Sequence, residues 1–377
     1  MPERDRTEAM TPLETHLRRR LRLTGPMTVA AFMQEALLHP EHGYYRSRPA
    51  LGAAGDFVTA PEISQMFGEL LGLWCLDYWE RMGAPDPVLL AELGPGRGTL
   101  IADALRATRL RPAFHKALRL HLVEASPVLR QRQAEALVPF AGQIAPPQWH
   151  ETLADLPEGP LLLLANEFFD ALPVHQFERT REGWRERAVI EPAVDAGLAW
   201  TLIPAGPQIG LLDDETRRAP VGTLAEISPQ GLAVAGEIGR RLAQQGGAAL
   251  LVDYGHGEGQ GWSLQAVQGH RRIDNLLLEP GRVDLSAHVD FGGLGRAARE
   301  RGARAHGPMT QGAFLEALGI RLRAQRLTRD ADAAARAGVE RALARLLDPR
   351  EMGTLFQALA LTAPQGPAPA GFPATAD

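Results

Sequence analysis

Apolar residues recur about every 3.6 positions over residues 11–38, which predicts helices there; the second, MTVAAFMQEALL, starts behind Thr28 as a candidate cap. The same period runs through APEISQMFGELLGLWCLDYWERMG and predicts one long amphipathic helix. From residue 88 the pattern changes. Short apolar runs (VLLAEL, LRLHLVEA, LLLLAN and AALLVDYG) alternate with helical stretches, chiefly TLIADALRATRL, 127–137 and PQGLAVAGEIGRRLAQQ. Uninterrupted apolar strands separated by helices predict an α/β fold, a mostly parallel sheet covered on both faces. Ligands on such sheets bind beyond the carboxyl ends of the strands, which places the loops after Glu92, Val123, Leu164 and Val252 on one rim. The expected organisation is an N-terminal helical region (1–87), a core (88–361) and a disordered Pro/Ala/Gly-rich tail (362–377). Two insertions interrupt that core. Residues 176–204 alternate polar and apolar like a β-hairpin, and 254–282 read as a Gly-rich, irregular and mobile segment facing the acceptor.

Charge narrows the function. The 377 residues carry 40 Lys and Arg against 45 Asp and Glu, a net charge of −5, so nothing favours a nucleic-acid or membrane-surface partner. The longest apolar runs, such as GPLLLLA, are too short to span a bilayer. Cys75, the only cysteine, permits no disulfide within the chain, anchors no metal cluster, and reads as a small buried hydrophobe. With an acidic N-terminus that lacks an apolar stretch, the expected location is the cytoplasm.

The candidate chemistry begins at ELGPGRGTL, where Gly94, Gly96 and Gly98 follow a strand. A dinucleotide loop needs its third glycine at the position of Thr99, whereas Pro95 offers no N–H and Glu92 would repel a pyrophosphate. A carboxylate at the strand end instead suits an ammonium or sulfonium group, with glycine backbone lying against a nucleoside. Glu124 closes the next strand, where a carboxylate can accept both ribose hydroxyls; the alternative is a charge at a helix N-terminus. Together Glu92 and Glu124 predict an S-adenosylmethionine site.

GDFVTAPEISQMFGELLGLWC, ELGPGRGTL, NEFFDALPVHQF, LLVDYGH and DLSAHVDF occur in an order and spacing that resemble the MidA-like methyltransferases. The likeness to their mitochondrial members runs from about Leu21 to Leu361. It implies a class I methyltransferase fold with S-adenosylmethionine as cofactor, and, from those members, symmetric dimethylation of an arginine on a respiratory complex I core subunit. Alternatives are another protein or small-molecule acceptor, or a non-catalytic complex I assembly factor. Arginine methyltransferases place a guanidinium-clamping Glu in the loop after the strand corresponding to LLLLAN. Glu167 is therefore the first candidate for the clamp, with Asp170 as partner. Asn166 faces cofactor or substrate, and Asn166 and Asp170 could equally cap the turn. Asp253 and His256 of DYGH add a second candidate pair, His256 either accepting a proton or standing in solvent. His288 in DLSAHVDF reads as structural. Thr59, Pro61, Glu62 and Gln65 belong to a motif that closes over the cofactor in the family, and Thr59 could instead simply start a helix.

Overall fold

The computed structural model describes residues 10–47, 59–193, 197–257, 261–269 and 271–373. Its centre is a seven-stranded sheet: β1 (Val88–Leu93), β2 (Leu118–Val123), β3 (Gln148–His150), β4 (Leu161–Asn166), β5 (Gly247–His256), β6 (Arg304–Thr310) and β7 (Phe356–Thr362). The spatial order is β3-β2-β1-β4-β5-β7-β6, with Val289–Asp290 adding a short parallel pairing to the end of β5. β7 runs antiparallel to β5 and β6, and the other neighbouring strands pair in parallel.

Every residue of β1 and β4 is buried, as unbroken apolar strands require in a sheet covered on both faces. Their side chains alternate between two cores. Leu90, Leu120, Leu162 and Leu250 face one side with Phe67, Trp74 and Ile101. Leu89, Leu163 and Leu251 face the other with Ile238, Leu242 and Phe291. The register aligns Leu90 with Leu120 and Leu162, and Val252 with Asn166, so the carboxyl ends of β1, β2, β4 and β5 share one rim.

The predicted long helix after Thr59 is broken. Ala60–Ile63 forms one turn, Ser64 turns extended and caps with its hydroxyl, and α1 (Gln65–Arg81) follows. Gly72 lets α1 press on α2 (Thr99–Thr108), since a Cβ there would stand 2.5 Å from the Ala104 Cα.

The N-terminal region is not one unit. Helices Pro12–Thr24 and Val29–Leu38 share a separate core with Val189 and Leu285, whereas α1 belongs to the main core. The expected hairpin at 176–204 is larger. His175–Thr180 and Gly183–Ile190 pair through a tight turn, and Ala199–Pro204, Leu224–Ile227 and Met27–Thr28 complete a five-stranded antiparallel sheet. The segment read as irregular, 254–282, begins inside β5 and contributes Gln265–Gln268 and Arg271–Ile273 to a three-stranded sheet closed by Asp284–Ser286. Through residue 373 the tail is also packed rather than loose: Trp74 Nε1 donates to the Ala370 carbonyl (3.1 Å), and Phe372 stands 5.2 Å from Phe314, ring to ring. Its Pro/Ala/Gly composition hid these few anchors. No described helix is long and apolar enough to cross a membrane.

Candidate functional site

The glycine loop leaves β1 in left-handed backbone: φ is +61° at Gly94, +52° at Gly96 and +81° at Gly98, a region that side chains with a Cβ disfavour. Gly94 N–H donates to the Val123 carbonyl (3.0 Å) and Gly98 N–H to the Pro95 carbonyl (2.8 Å), closing a turn that delivers the start of α2. The loop walls a cavity lined by Thr59, Pro61, Glu62, Glu92, Gly94, Pro95, Gly96, Arg97, Thr99, Leu100, Asn166 and Glu167. Gly98 is not on that wall. Its missing side chain makes room for the helix Pro127–Leu137, where Gln133 Cα would lie 3.3 Å from a Cβ. Gln65 is exposed on the first turn of α1 and also stands outside the cavity. Thr59 makes no side-chain cap, so its hydroxyl is left for the cavity.

Unmet acceptors dominate the wall. Glu92 is 3% exposed, its Oε2 has no partner, and burial pushes its carboxyl up to about 8. Glu62 Oε2 and Asn166 Oδ1 are likewise buried without a partner. Glu62 Oε1 meets Arg97 Nη1 at 3.5 Å, and burial, only partly opposed by Arg97, raises its carboxyl. An unpaired buried acceptor costs about 1–3 kcal/mol, so this wall suits a group rich in N–H donors such as an ammonium, while Arg97 adds one positive charge to it. S-adenosylmethionine fits that demand: Glu92 and Asn166 would hold its amino-acid end against the bare backbone of Gly94 and Gly96.

Glu124, the expected ribose acid, is not among the residues that line the cavity, but Gln133 ties it to the glycine loop. Its Oε1 accepts from Ser126 N–H (2.8 Å) and its Oε2 from Gln133 Nε2 (3.2 Å), which leaves about two of its roughly four lone-pair sites for hydroxyls. Burial is the main cause raising its carboxyl. Gln133 was not anticipated. Fully buried, it also donates to the Gly96 carbonyl (2.8 Å) and accepts from Trp149 Nε1 (2.9 Å), tying loop, acid and β3 together. Its spacing from Leu129 and Leu137, four residues each way on the buried face, was the available signal. Glu124→Ala should weaken S-adenosylhomocysteine binding roughly 100-fold or more by calorimetry if Glu124 accepts both ribose hydroxyls, since two hydrogen bonds to a charged acceptor are lost; wild-type affinity in the folded variant would remove Glu124 from the site.

The loop after β4 carries strain. Glu167 has φ +50°, uncommon for a residue with a Cβ and a recurrent mark of functional positions. Its N–H is fixed to the Val252 carbonyl (2.9 Å), and its Oε1 accepts from Ala60 N–H (2.9 Å) and Asn166 Nδ2 (3.2 Å). Burial foremost, with Asp170 and Glu62 nearby, lifts its carboxyl to about 7.

Asp253 has a different role from the catalytic one expected. It is 1% exposed and points away from the cavity: Oδ2 accepts from the N–H groups of Phe168, Phe169 and Asp170 (3.1, 3.0 and 3.3 Å), and Oδ1 from Tyr254 N–H (2.9 Å). Burial, then the charges of Asp170 and Glu167, raise its carboxyl against the pull of those donors. It is a positioning residue that shapes the Glu167–Asp170 loop. His256 is also separate from the cofactor cavity. It lines a second pocket with Phe169, Glu226 and His288, its ring centroid 6.4 Å from that of His288.

Residues 70–309 match the family model for S-adenosyl-L-methionine-dependent methyltransferases. The chain belongs to this family. The mitochondrial protein arginine methyltransferase NDUFAF7 of Danio rerio is 38% identical to this methyltransferase over 91% of the chain and 85% of the relative, and that of Mus musculus 39% over 93% and 84%. A Burkholderia thailandensis structure bound to S-adenosyl-homocysteine superposes with a TM-score of 0.79, at 25% identity, over 95% of this chain and 94% of that one. The methyltransferase therefore has the class I fold, with sheet order 3-2-1-4-5-7-6, and uses S-adenosylmethionine.

A pH dependence follows from Glu92. With its carboxyl raised by burial, folding is favoured below the ordinary carboxylate range and that contribution is lost as pH rises through about 8. Binding an ammonium requires the ionised form, so the thermal stabilisation conferred by S-adenosylhomocysteine should grow from pH 6 to pH 8. Glu92→Gln should flatten the profile; an unchanged slope in that variant would exclude Glu92 as its source.

Proposed function

We propose that the methyltransferase transfers methyl groups to an arginine of a protein acceptor, a core subunit of respiratory complex I, giving symmetric dimethylarginine, and that it works in the cytoplasm. The carrying observation is Glu167, a strained carboxylate on the cofactor cavity wall next to two further acids, Glu62 and Asp170. The arginine methyltransferase names of relatives near 38% identity support an arginine as acceptor.

Arginine is a poor nucleophile because its guanidinium stays protonated and its lone pairs are delocalised. Carboxylates that accept from some of its nitrogens draw the positive charge there and leave another nitrogen facing the methyl, which it must approach to about 3–3.5 Å. Glu167 on the cavity wall takes this role in the reading, and Asp253 holds the backbone of the loop that follows it. When bound, S-adenosylmethionine supplies a methyl on a cationic sulfur that is already a good leaving group. Each transfer frees one proton from the acceptor nitrogen. Asp170, whose carboxyl burial lifts to about 6, stands close by to hold it. Mass spectrometry of complex I subunits from cells with and without this chain tests the reading: loss of one symmetric dimethylarginine supports it, and unchanged methylation of every subunit arginine overturns it.

A further inference from the structure

One positive charge stands in the wall of the cofactor cavity among three acids. Glu62, Glu92 and Glu167 line that cavity, and among its described lining residues Arg97 is the only cation. Arg97 lies between Gly96 and Gly98, in the turn that leads into α2. Its ion pair with Glu62 is loose: Nη1 stands 3.5 Å from Oε1, beyond the ~2.7–2.9 Å of a close charge-assisted bond. The Arg97 side chain is 46% exposed, whereas that of Glu62 is 13% exposed. A guanidinium carries five N–H donors, so one long contact leaves most of them for another acceptor. The start of α2 adds to this positive end. Gly98 brings no side-chain cap, the first turn holds no acid, and Thr99 and Leu100 both line the cavity. N–H groups at a helix start favour an anion.

The amino-acid end of S-adenosylmethionine carries a carboxylate beside its ammonium. Glu92 and Asn166 offer the cavity unmet acceptors, which suit the ammonium and leave the carboxylate without a partner. We propose that Arg97 receives this carboxylate, exchanging its loose contact with Glu62 for a close one, and so selects a cofactor with an intact amino-acid end. A carboxylate entering among three acids is repelled unless a cation meets it, and Arg97 is that cation. Arginine also matches a carboxylate with two parallel N–H bonds, a fit that a point charge lacks. Glu62 holds the guanidinium at the cavity wall in the meantime. Its Oε2 is already buried without a partner, so once Arg97 turns to the cofactor Glu62 joins Glu92 in accepting from the ammonium. The assignment concerns the cofactor alone and does not depend on which residue accepts the methyl group.

The test is calorimetry on the full chain with two ligands, S-adenosylmethionine and its decarboxylated form. The second keeps the adenosine, the sulfonium and the ammonium and lacks only the carboxylate. Wild-type protein should bind the intact cofactor roughly tenfold more tightly or better, the difference expected for hydrogen bonds between charged groups. Arg97→Gln should weaken S-adenosylmethionine by roughly tenfold or more, while the decarboxylated form stays within about twofold of wild type. Arg97→Lys, which keeps the charge without the planar fork, should restore part of the preference. If Arg97 only held the turn at Glu62, its loss would weaken both ligands alike, and that result overturns the proposal. So does an undiminished affinity of Arg97→Gln for S-adenosylmethionine. Equal binding of the two ligands by the wild-type protein also overturns it, and that measurement needs no variant to fold.

Discussion

Glu167→Gln should lower single-turnover methyl transfer to an arginine acceptor by roughly 100- to 1,000-fold, the usual cost of removing one oriented electrostatic group from a partly dry site. The exchange keeps the shape and the oxygen that accepts from Ala60 N–H and Asn166 Nδ2, so the segment at Ala60 stays tied to the loop. What disappears is the charge that holds and polarises the guanidinium. S-adenosylhomocysteine affinity should remain within a few-fold of wild type if Glu92 and Glu124, rather than Glu167, hold the cofactor's charged and hydroxyl ends. The assay belongs at pH 8, above the raised carboxyl of Glu167. Near-wild-type transfer would refute the clamp, and a parallel loss of cofactor affinity would move Glu167 into the cofactor site.

Asp253→Ala should have the largest effect on stability. It strands four N–H groups, those of Phe168, Phe169, Asp170 and Tyr254, in a site where the carboxylate is their acceptor. An unsatisfied buried donor costs about 1–3 kcal/mol, so a loss of at least ~3 kcal/mol is expected in urea unfolding. Hydrogen exchange at amides 168–170 should accelerate more than at the centre of β4, and transfer should fall with it. Wild-type protection at those three amides would show that another group shapes the loop.

The sheet and its functional rim were legible because both rest on local pattern. Unbroken apolar strands such as VLLAEL fix burial on both faces, and an acid at a strand end is visible in any reading of the chain. Glu92, Gly94, Gly96, Asn166 and Glu167 come together on this account. The roles of Asp253, Gly98 and Gln133 depend on what stands opposite them in three dimensions. Asp253 looks like a rim acid, but its oxygens turn back toward the backbone of a loop more than 80 residues earlier. Gly98 belongs to the glycine motif, yet its bare Cα serves helix packing. Gln133 is polar in the middle of a helix and reads as solvent-facing unless its alignment with Leu129 and Leu137 is noticed. The N-terminal helices divided between two cores for a similar reason: an amphipathic period announces an apolar partner without saying which one.

The most direct measurement is incubation of the purified chain with methyl-labelled S-adenosylmethionine and an arginine-bearing fragment of a complex I core subunit, followed by mass spectrometry of the fragment. Labelled symmetric dimethylarginine at one position, lost in Glu167→Gln, is the expected result. Full cofactor binding with no label on any arginine, or label on another residue type, would contradict the assignment of a protein-arginine methyltransferase.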